Sequence, residues 1–179
     1  MLDNQLIQLF LPIIKAGLIS DGFTGVIVKQ MDQPTQQGIP RGPTVFFQKI
    51  YDHRYGWGMT YAKWNATASQ EQNHEPQWHE TTFQVSTLVV QDPKTPNAYT
   101  AADLANEVAS IMQSEATRVT MMAQNVGILR VSEITNPYFQ DDRDQFEATP
   151  TFDFILTHLQ TRVSTIPVVS SFNAGIYRE

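Results

Sequence analysis

Apolar residues at Leu2, Leu6, Leu9, Phe10, Ile13 and Ile14 recur every three or four positions, the spacing that lines one face of a helix. Asp3 or Asn4 is the expected cap. Pro12 is expected to kink this helix or to open a second helical piece that stops near Gly17. The β-branched run Val26-Ile27-Val28 reads as a first strand. The segment DQPTQQGIPRGP is a loop by composition, and Pro40 and Pro43 stiffen the approach to the run TVFFQKIYD. In that second strand Phe46, Gln48 and Ile50 share one face, and Val45, Phe47 and Lys49 the other. RYGWGMTYAKW is expected to pair back as a further strand, and NATASQEQNHEPQ, being so polar, to form a mobile surface loop.

From Trp78 to Val90 the alternation is clearest. Phe83, Val85, Thr87 and Val89 interleave with Thr82, Gln84 and Ser86, predicting one buried and one wet face. Thr100 followed by Asp103 forms a capping box with Asp in place of Glu. One long central helix is then expected from about Ala101 to Ala123, with Leu104, Val108, Ile111, Met112, Val119 and Met122 as its apolar stripe and Ala105 and Ala109 beside it. Gly127 fits a break, ILRVSEI returns to strand alternation, and Phe152, Phe154, Leu156 and His158 alternate along a final strand. The order of elements predicts an α+β fold with a mainly antiparallel sheet packed on the long helix, in a single domain over residues 1–163. Residues 164–179 have too few apolar anchors for a core of their own and are expected to form an extended C-terminal arm.

Composition narrows the function. The chain has 179 residues, no cysteine, and 12 basic against 18 acidic residues, for a net charge of −6. Cysteine nucleophiles, thiolate metal sites and disulfides are excluded, and a reducing cytoplasm suits the composition. The negative charge argues against general affinity for nucleic acid. No apolar run reaches the ~20 residues of a membrane span. Asp3 and the lack of a small-residue cleavage site argue against a signal peptide.

Candidate chemistry is sparse. HEPQWHE looks like a zinc motif, but His74 and His79 are five apart with Pro76 between them, so no helix brings both imidazoles to one face. His53 and His158 have no local carboxylate or nucleophile partner. There is no G-x-S-x-G, and GWG lacks a phosphate-cradling context. No catalytic residue, metal or cofactor is expected. Trp57, Trp64 and Trp78 with Tyr51, Tyr55 and Tyr61 suit core or subunit-interface packing. The alternative for this cluster, around residues 51–78, is a carbohydrate-binding or other small-ligand module. Between Glu133 and Asp153, six carboxylates face one basic residue, Arg143, and such runs ordinarily face water.

Taken in order, the N-terminal helix, QGIPRGPTVFFQKI, a polar hairpin region, FQVSTLVV, the Ala-rich TAADLANEVASIMQ and the acidic hairpin resemble the neck and tail terminator proteins of long-tailed bacteriophages, over about residues 1–163. The resemblance implies a structural virion subunit. It would form a ring, commonly a hexamer, that caps the head-proximal end of the tail tube and joins it to the head connector. Its expected partners are itself, the tail tube protein and the head-completion or connector protein, with the tail sheath a further candidate. No membrane is implied, and DNA enters only as the transiting genome. The expected location is the virion tail or neck, after assembly in the host cytoplasm. The longer YAKWNATASQEQNHEPQ segment and the C-terminal arm depart from shorter members. Candidate interface or lumen residues are Arg41, Trp57, Asp141, Asp142, Asp144, Glu147, Val168 and Phe172. The acids among them would line an acidic channel past which the genome slides, or dock on a basic patch of an adjacent ring.

Overall fold

The computed structural model describes residues 2–31, 42–90, 94, 97–140 and 146–166. Helix α1 is Asp3–Ser20, followed by strands β1 (Ile27–Gln30), β2 (Thr44–Tyr55), β3 (Tyr61–Asn65) and β4 (Gln70–Leu88). Helices α2 (Ala101–Gln113) and α3 (Glu115–Met122) come next. Strands β5 (Val126–Val131), β6 (Tyr138–Gln140), β7 (Phe146–Ala148) and β8 (Thr151–Thr165) complete the described chain. The main sheet runs β1-β2-β4-β8-β5, with β3 also on β4, and β6 and β7 make a separate two-stranded hairpin. The sheet is mixed: β1 lies parallel to β2, and the other pairings are antiparallel.

Leu6, Phe10, Ile14 and Leu18 fall four apart on α1 and are all buried. This stripe lies on the sheet face formed by Val45 and Phe47 of β2, Phe83 and Val85 of β4, and Phe152, Phe154 and Leu156 of β8. The Phe10 ring sits 5.2 Å from Phe47, 5.1 Å from Phe83 and 5.2 Å from Phe154, centroid to centroid, in tilted or edge-on geometry. Such pairs add to the burial term. α1 runs unbroken through Pro12 rather than splitting there. Both Pro12 and Gln8, whose carbonyl loses its amide partner to the proline ring, are exposed, so the lost bond falls on the side of the helix away from the core. The cap is also one residue earlier than the sequence suggests: the Leu2 N–H donates to the Gln5 side chain at 2.9 Å. Gly17 lets α1 approach α2, since a Cβ there would lie 2.8 Å from Ile111.

The Thr100–Asp103 capping box forms as expected, with the Asp103 N–H donating to the Thr100 hydroxyl at 3.1 Å and the Thr100 N–H to the Asp103 carboxylate at 2.8 Å. The long central helix does not form. Ser114 is extended (φ −64°, ψ 147°), ends α2, and accepts a hydrogen bond from the Thr117 N–H at 3.2 Å as the cap of α3. The capping hydroxyl competes with helix continuation. The direction change turns Val119 and Met122 outward and buries Thr117 and Met121 instead.

The expected surface loop after Trp64 is also corrected. Residues 65–70 turn tightly, with the Asn65 side chain accepting from the Thr67 and Ala68 N–H groups at 3.1 Å each, and β4 begins at Gln70. β8 follows β4 to the same end and pairs through Thr165, so the first residues of the expected C-terminal arm lie in the sheet. Its remainder, with Val168 and Phe172, lies outside the described residues, as do Arg41, Asp141, Asp142 and Asp144.

Replacing Phe10 with Ala is expected to cost about 3–5 kcal/mol, read as a lower denaturation midpoint in urea. Ser114→Ala should cost about 1 kcal/mol and leave the fold intact. A Phe10→Ala loss no larger than that of an exposed apolar residue such as Met59 would show that the ring is not the hub of this core.

Candidate assembly surface

The 19 residues of β4 span roughly 60 Å at about 3.3 Å each. Only the half from His79 onward carries buried side chains. The other half, Gln70–Trp78, together with β3 and the end of β8, projects as an arm beyond the helices, with its side chains exposed or half-buried.

Where body meets arm, the core face turns polar. A bulge in β2 between Lys49 and Tyr51 shifts the register. It exchanges the two faces, so Asp52 and Arg54 follow Val45, Phe47 and Lys49 on the helix side. Lys49 bridges Asp3, at 2.8 Å, and Asp52. The Thr81 hydroxyl donates to Asp52 at 2.7 Å and lies 3.0 Å from His158 Nε2. With the hydroxyl hydrogen committed to Asp52, the imidazole must donate to Thr81. His79 stacks on His158 at 5.5 Å, and both are buried.

Burial desolvates Lys49, but its hydrogen bonds to Asp3 and Asp52 outweigh that and raise its pKa. For Asp52 burial acts upward, and the hydrogen bonds from Lys49 and Thr81 win and lower it. Burial holds His158 down at about 4. Burial and then the Arg54 charge lower His79. Near pH 7 the network is therefore a neutral imidazole pair beside an ionised Lys49–Asp52 pair, and the Lys49 bond to Asp3 ties the start of α1 to β2, β4 and β8.

The arm's two faces differ in chemistry. On the face away from the helices, Tyr55, Trp78 and Leu159 are adjacent in register and 37%, 48% and 40% exposed. Further out, Tyr61, His74 and Val163 form a second row, with the Tyr61 and His74 rings stacked at 5.2 Å. On the helix side lies a polar cavity of about 540 Å³, lined by Arg54, Glu75, Gln77, His79, Gln160 and Arg162 among others. Pro76 falls where β2 has ended and β3 has not begun, so its missing N–H breaks no ladder on that edge. The Gln77 side chain fills the gap by donating to the Tyr55 and Gly56 carbonyls at 2.8 and 3.1 Å.

These placements bear on the sequence candidates. Trp57 is 99% exposed in the β2–β3 turn. Trp64, opposite Glu71, and Trp78 lie on opposite faces by strand alternation, so the three tryptophans form no common stacking platform. His74 and His79 likewise face opposite sides. Among the described residues no group of three or more potential metal ligands comes together, and no helix is long and apolar enough to cross a membrane. Glu147 lies on β7 opposite Phe139, and β6 and β7 flank the acidic residues 141–145.

Residues 5–168 match the family model described as E217 gateway protein gp29. The chain belongs to this gateway protein family. No curated protein sequence matches it. Among solved structures, the chain is similar over its whole length to a PVC sheath/tube terminator, in the extended state of an extracellular contractile injection system. The TM-score is 0.51 at 8% identity, and the match covers 64% of that terminator chain, a likeness of fold. The resemblance to phage neck and tail terminators therefore holds, and the gateway chain is a structural protein rather than an enzyme.

The buried His158 gives a pH test. A depressed folded pKa means that the unfolded chain takes up the proton first. Stability is thus full above the ordinary histidine pKa of 6.5 and is lost as pH falls from there to about 4. Thermal melts of the wild type should fall more steeply across that window than those of His158→Gln, which keeps a donor for Thr81. Parallel curves for the two proteins would rule out His158 as the titrating group.

Proposed function

We propose that this gateway-family chain is the subunit of a ring, hexameric by analogy with terminators, in the tail or neck of the virion. The ring caps the head-proximal end of the tail tube, joins it to the head connector, and lets the genome pass. Its partners are further copies of itself, the tail tube protein and the connector protein, with the sheath a further candidate, and assembly takes place in the host cytoplasm. The part of the expected C-terminal arm that follows β8, residues 167–179, is assigned to a segment that orders against a neighbour, with Val168 and Phe172 as its anchors. Arg41 and Trp57 are assigned to contacts between subunits or with the tube.

The observation that carries this reading is the arm. A sheet extension with a contiguous Tyr55-Trp78-Leu159 row in the open is more apolar than an isolated surface needs, and such rows belong at interfaces. The fold likeness to a sheath/tube terminator supports the same assignment. A small-ligand module is less well supported, because the tryptophans diverge.

The test is to image the purified protein, alone and with purified tail tubes, by negative stain, and to measure its mass by light scattering. Rings, or caps at one end of the tubes, are expected. A protein that stays monomeric at high concentration and ignores tubes would defeat the proposal. The triple variant Tyr55→Ser, Trp78→Ser, Leu159→Ser should melt within a few degrees of wild type, since these side chains are exposed in the subunit, yet lose assembly at least tenfold. Unchanged assembly would move the interface elsewhere.

A further inference from the structure

The arm leaves two strand edges open. Among the described residues no strand pairs with the outer side of β3, and β5 stops at Val126 opposite His158, so none flanks residues 161–165 of β8. The ladder decides which backbone groups these edges present. The Thr87 N–H donates to the Pro150 carbonyl at 3.2 Å and the Ile166 N–H to the Glu71 carbonyl at 3.0 Å, at the two ends of an unshifted β4–β8 register. Hydrogen-bonded pairs recur at every second residue of an antiparallel ladder, so the even-numbered residues of β8 turn their N–H and C=O groups to β4. The odd-numbered residues turn theirs the other way, as the 2.7 Å bond from the Ser132 N–H to the Asp153 carbonyl shows in the body. In the arm, Thr161, Val163 and Thr165 therefore present theirs to the open edge. By the same alternation Tyr61, Lys63 and Asn65 of β3 bond β4, and Ala62 and Trp64 present their groups outward.

The body's edges are blunted. β1 has only four residues, and β5 carries a bulge between Ile128 and Arg130. The arm's edges have neither device: the β3–β4 and β4–β8 registers are unshifted, and no proline falls in residues 61–65 or 159–165. An edge left in this state is a template for another strand. β3 and β8 both run antiparallel to β4, so they run parallel to each other on opposite sides of one three-stranded sheet.

Building on the ring reading, we propose that residues 161–165 of β8 pair in parallel with β3 of a second copy of this chain, so that one sheet runs from subunit to subunit. The chain supplies both halves of this contact, two exposed edges of five residues with outward backbone groups at alternate positions. A copy that keeps its sheet faces and its strand direction brings β3, not β8, against the β8 edge. The contact is heterologous, and a repeated heterologous contact closes into a ring when the rotation permits. On the helix side it sets the exposed Trp64 beside the column of Gln160, Arg162 and Ser164, where an indole and a guanidinium attract.

The chain has no cysteine, so engineered disulfides report the junction. Lys63→Cys is combined in turn with Thr161→Cys, Val163→Cys and Thr165→Cys, all on the sheet face away from the helices. Within one chain β4 separates β3 from β8 by roughly 9–10 Å, beyond the ~6.8 Å that a disulfide bridges. Oxidised assemblies of at least one pair should run as covalent ladders on non-reducing gels. Each single cysteine, and the opposite-face pair Lys63→Cys/Arg162→Cys, should run as monomer. Val163→Pro removes an outward N–H and leaves the β4 ladder whole. It should melt within a few degrees of wild type and associate at least tenfold more weakly by sedimentation, whereas Val163→Thr, which keeps the N–H and the shape, should associate within a factor of about two. Rings that form with no ladder in any pair, or a Val163→Pro protein that assembles like wild type, overturn this contact while the ring reading stands. Single cysteines that dimerise as fully as the pairs join each edge to its own like, which also overturns it. So does lost assembly in Val163→Pro with no ladder, which gives the β8 edge to another occupant. A wild type that stays monomeric even with tail tubes overturns both.

Discussion

Everything in the subunit depends on one apolar contact, the Phe10 ring of α1 set among Phe47, Phe83 and Phe154. A sheet buries one face only where something covers it, and here α1 and α2 cover the half that contains those rings. Phe83 and Phe154 are also cross-strand partners, stacked at 5.5 Å. The same contact thus fixes the register of β4 on β8, and a slip of one residue would turn every core side chain of either strand outward. That register holds the rest of the two strands in line as the arm.

The arm follows from this division of labour. Beyond His79 the strands lose their helical cover, and the β2 bulge brings Asp52 and Arg54 round to the helix side. The Asp3-Lys49-Asp52-Thr81-His158 network seals the boundary between dry core and open sheet. A charged network at that place costs less than it would in the interior, because Lys49 and Asp52 remain partly in contact with water. What projects past it has backbone pairing but little side-chain burial, the state expected of the low-stability part of a fold, and it is the surface that the proposed assembly would complete.

Much of the body was legible in the sequence. The helical spacing that contains Leu6, Phe10 and Ile14, the alternation from Phe83 and from Phe152, and the Thr100–Asp103 box each state a local preference that the fold keeps, although α1 runs past the expected stop near Gly17 and buries Leu18 as well. The arm was not legible, because Gln, Glu, His and Asn are weak strand formers and their pairing comes from neighbours far along the chain. Asn65 was the available signal, as an Asx-turn residue joining two extended runs. Ser114 before Glu115 was an equally available cap signal for α3, masked by an apolar spacing that continues past it. The register-dependent features, the cavity of Arg54 and Arg162 and the row of Tyr55, Trp78 and Leu159, join residues about a hundred apart. No local pattern contains them. The resemblance to neck and tail terminators was legible from element order, whereas the division into core and arm needed the pairing.

The central claim is that the helix-covered half of the sheet is self-sufficient and the arm half is completed by assembly. Hydrogen–deuterium exchange on the dilute subunit and on assembled protein tests it most directly. Amides of Thr81–Leu88 and Thr151–His158 should be strongly protected in both states. Those of Gln70–Gln77 and Gln160–Thr165 should exchange much faster in the subunit and gain protection on assembly. Equal protection of the two halves in the dilute subunit, unchanged on assembly, would contradict the account.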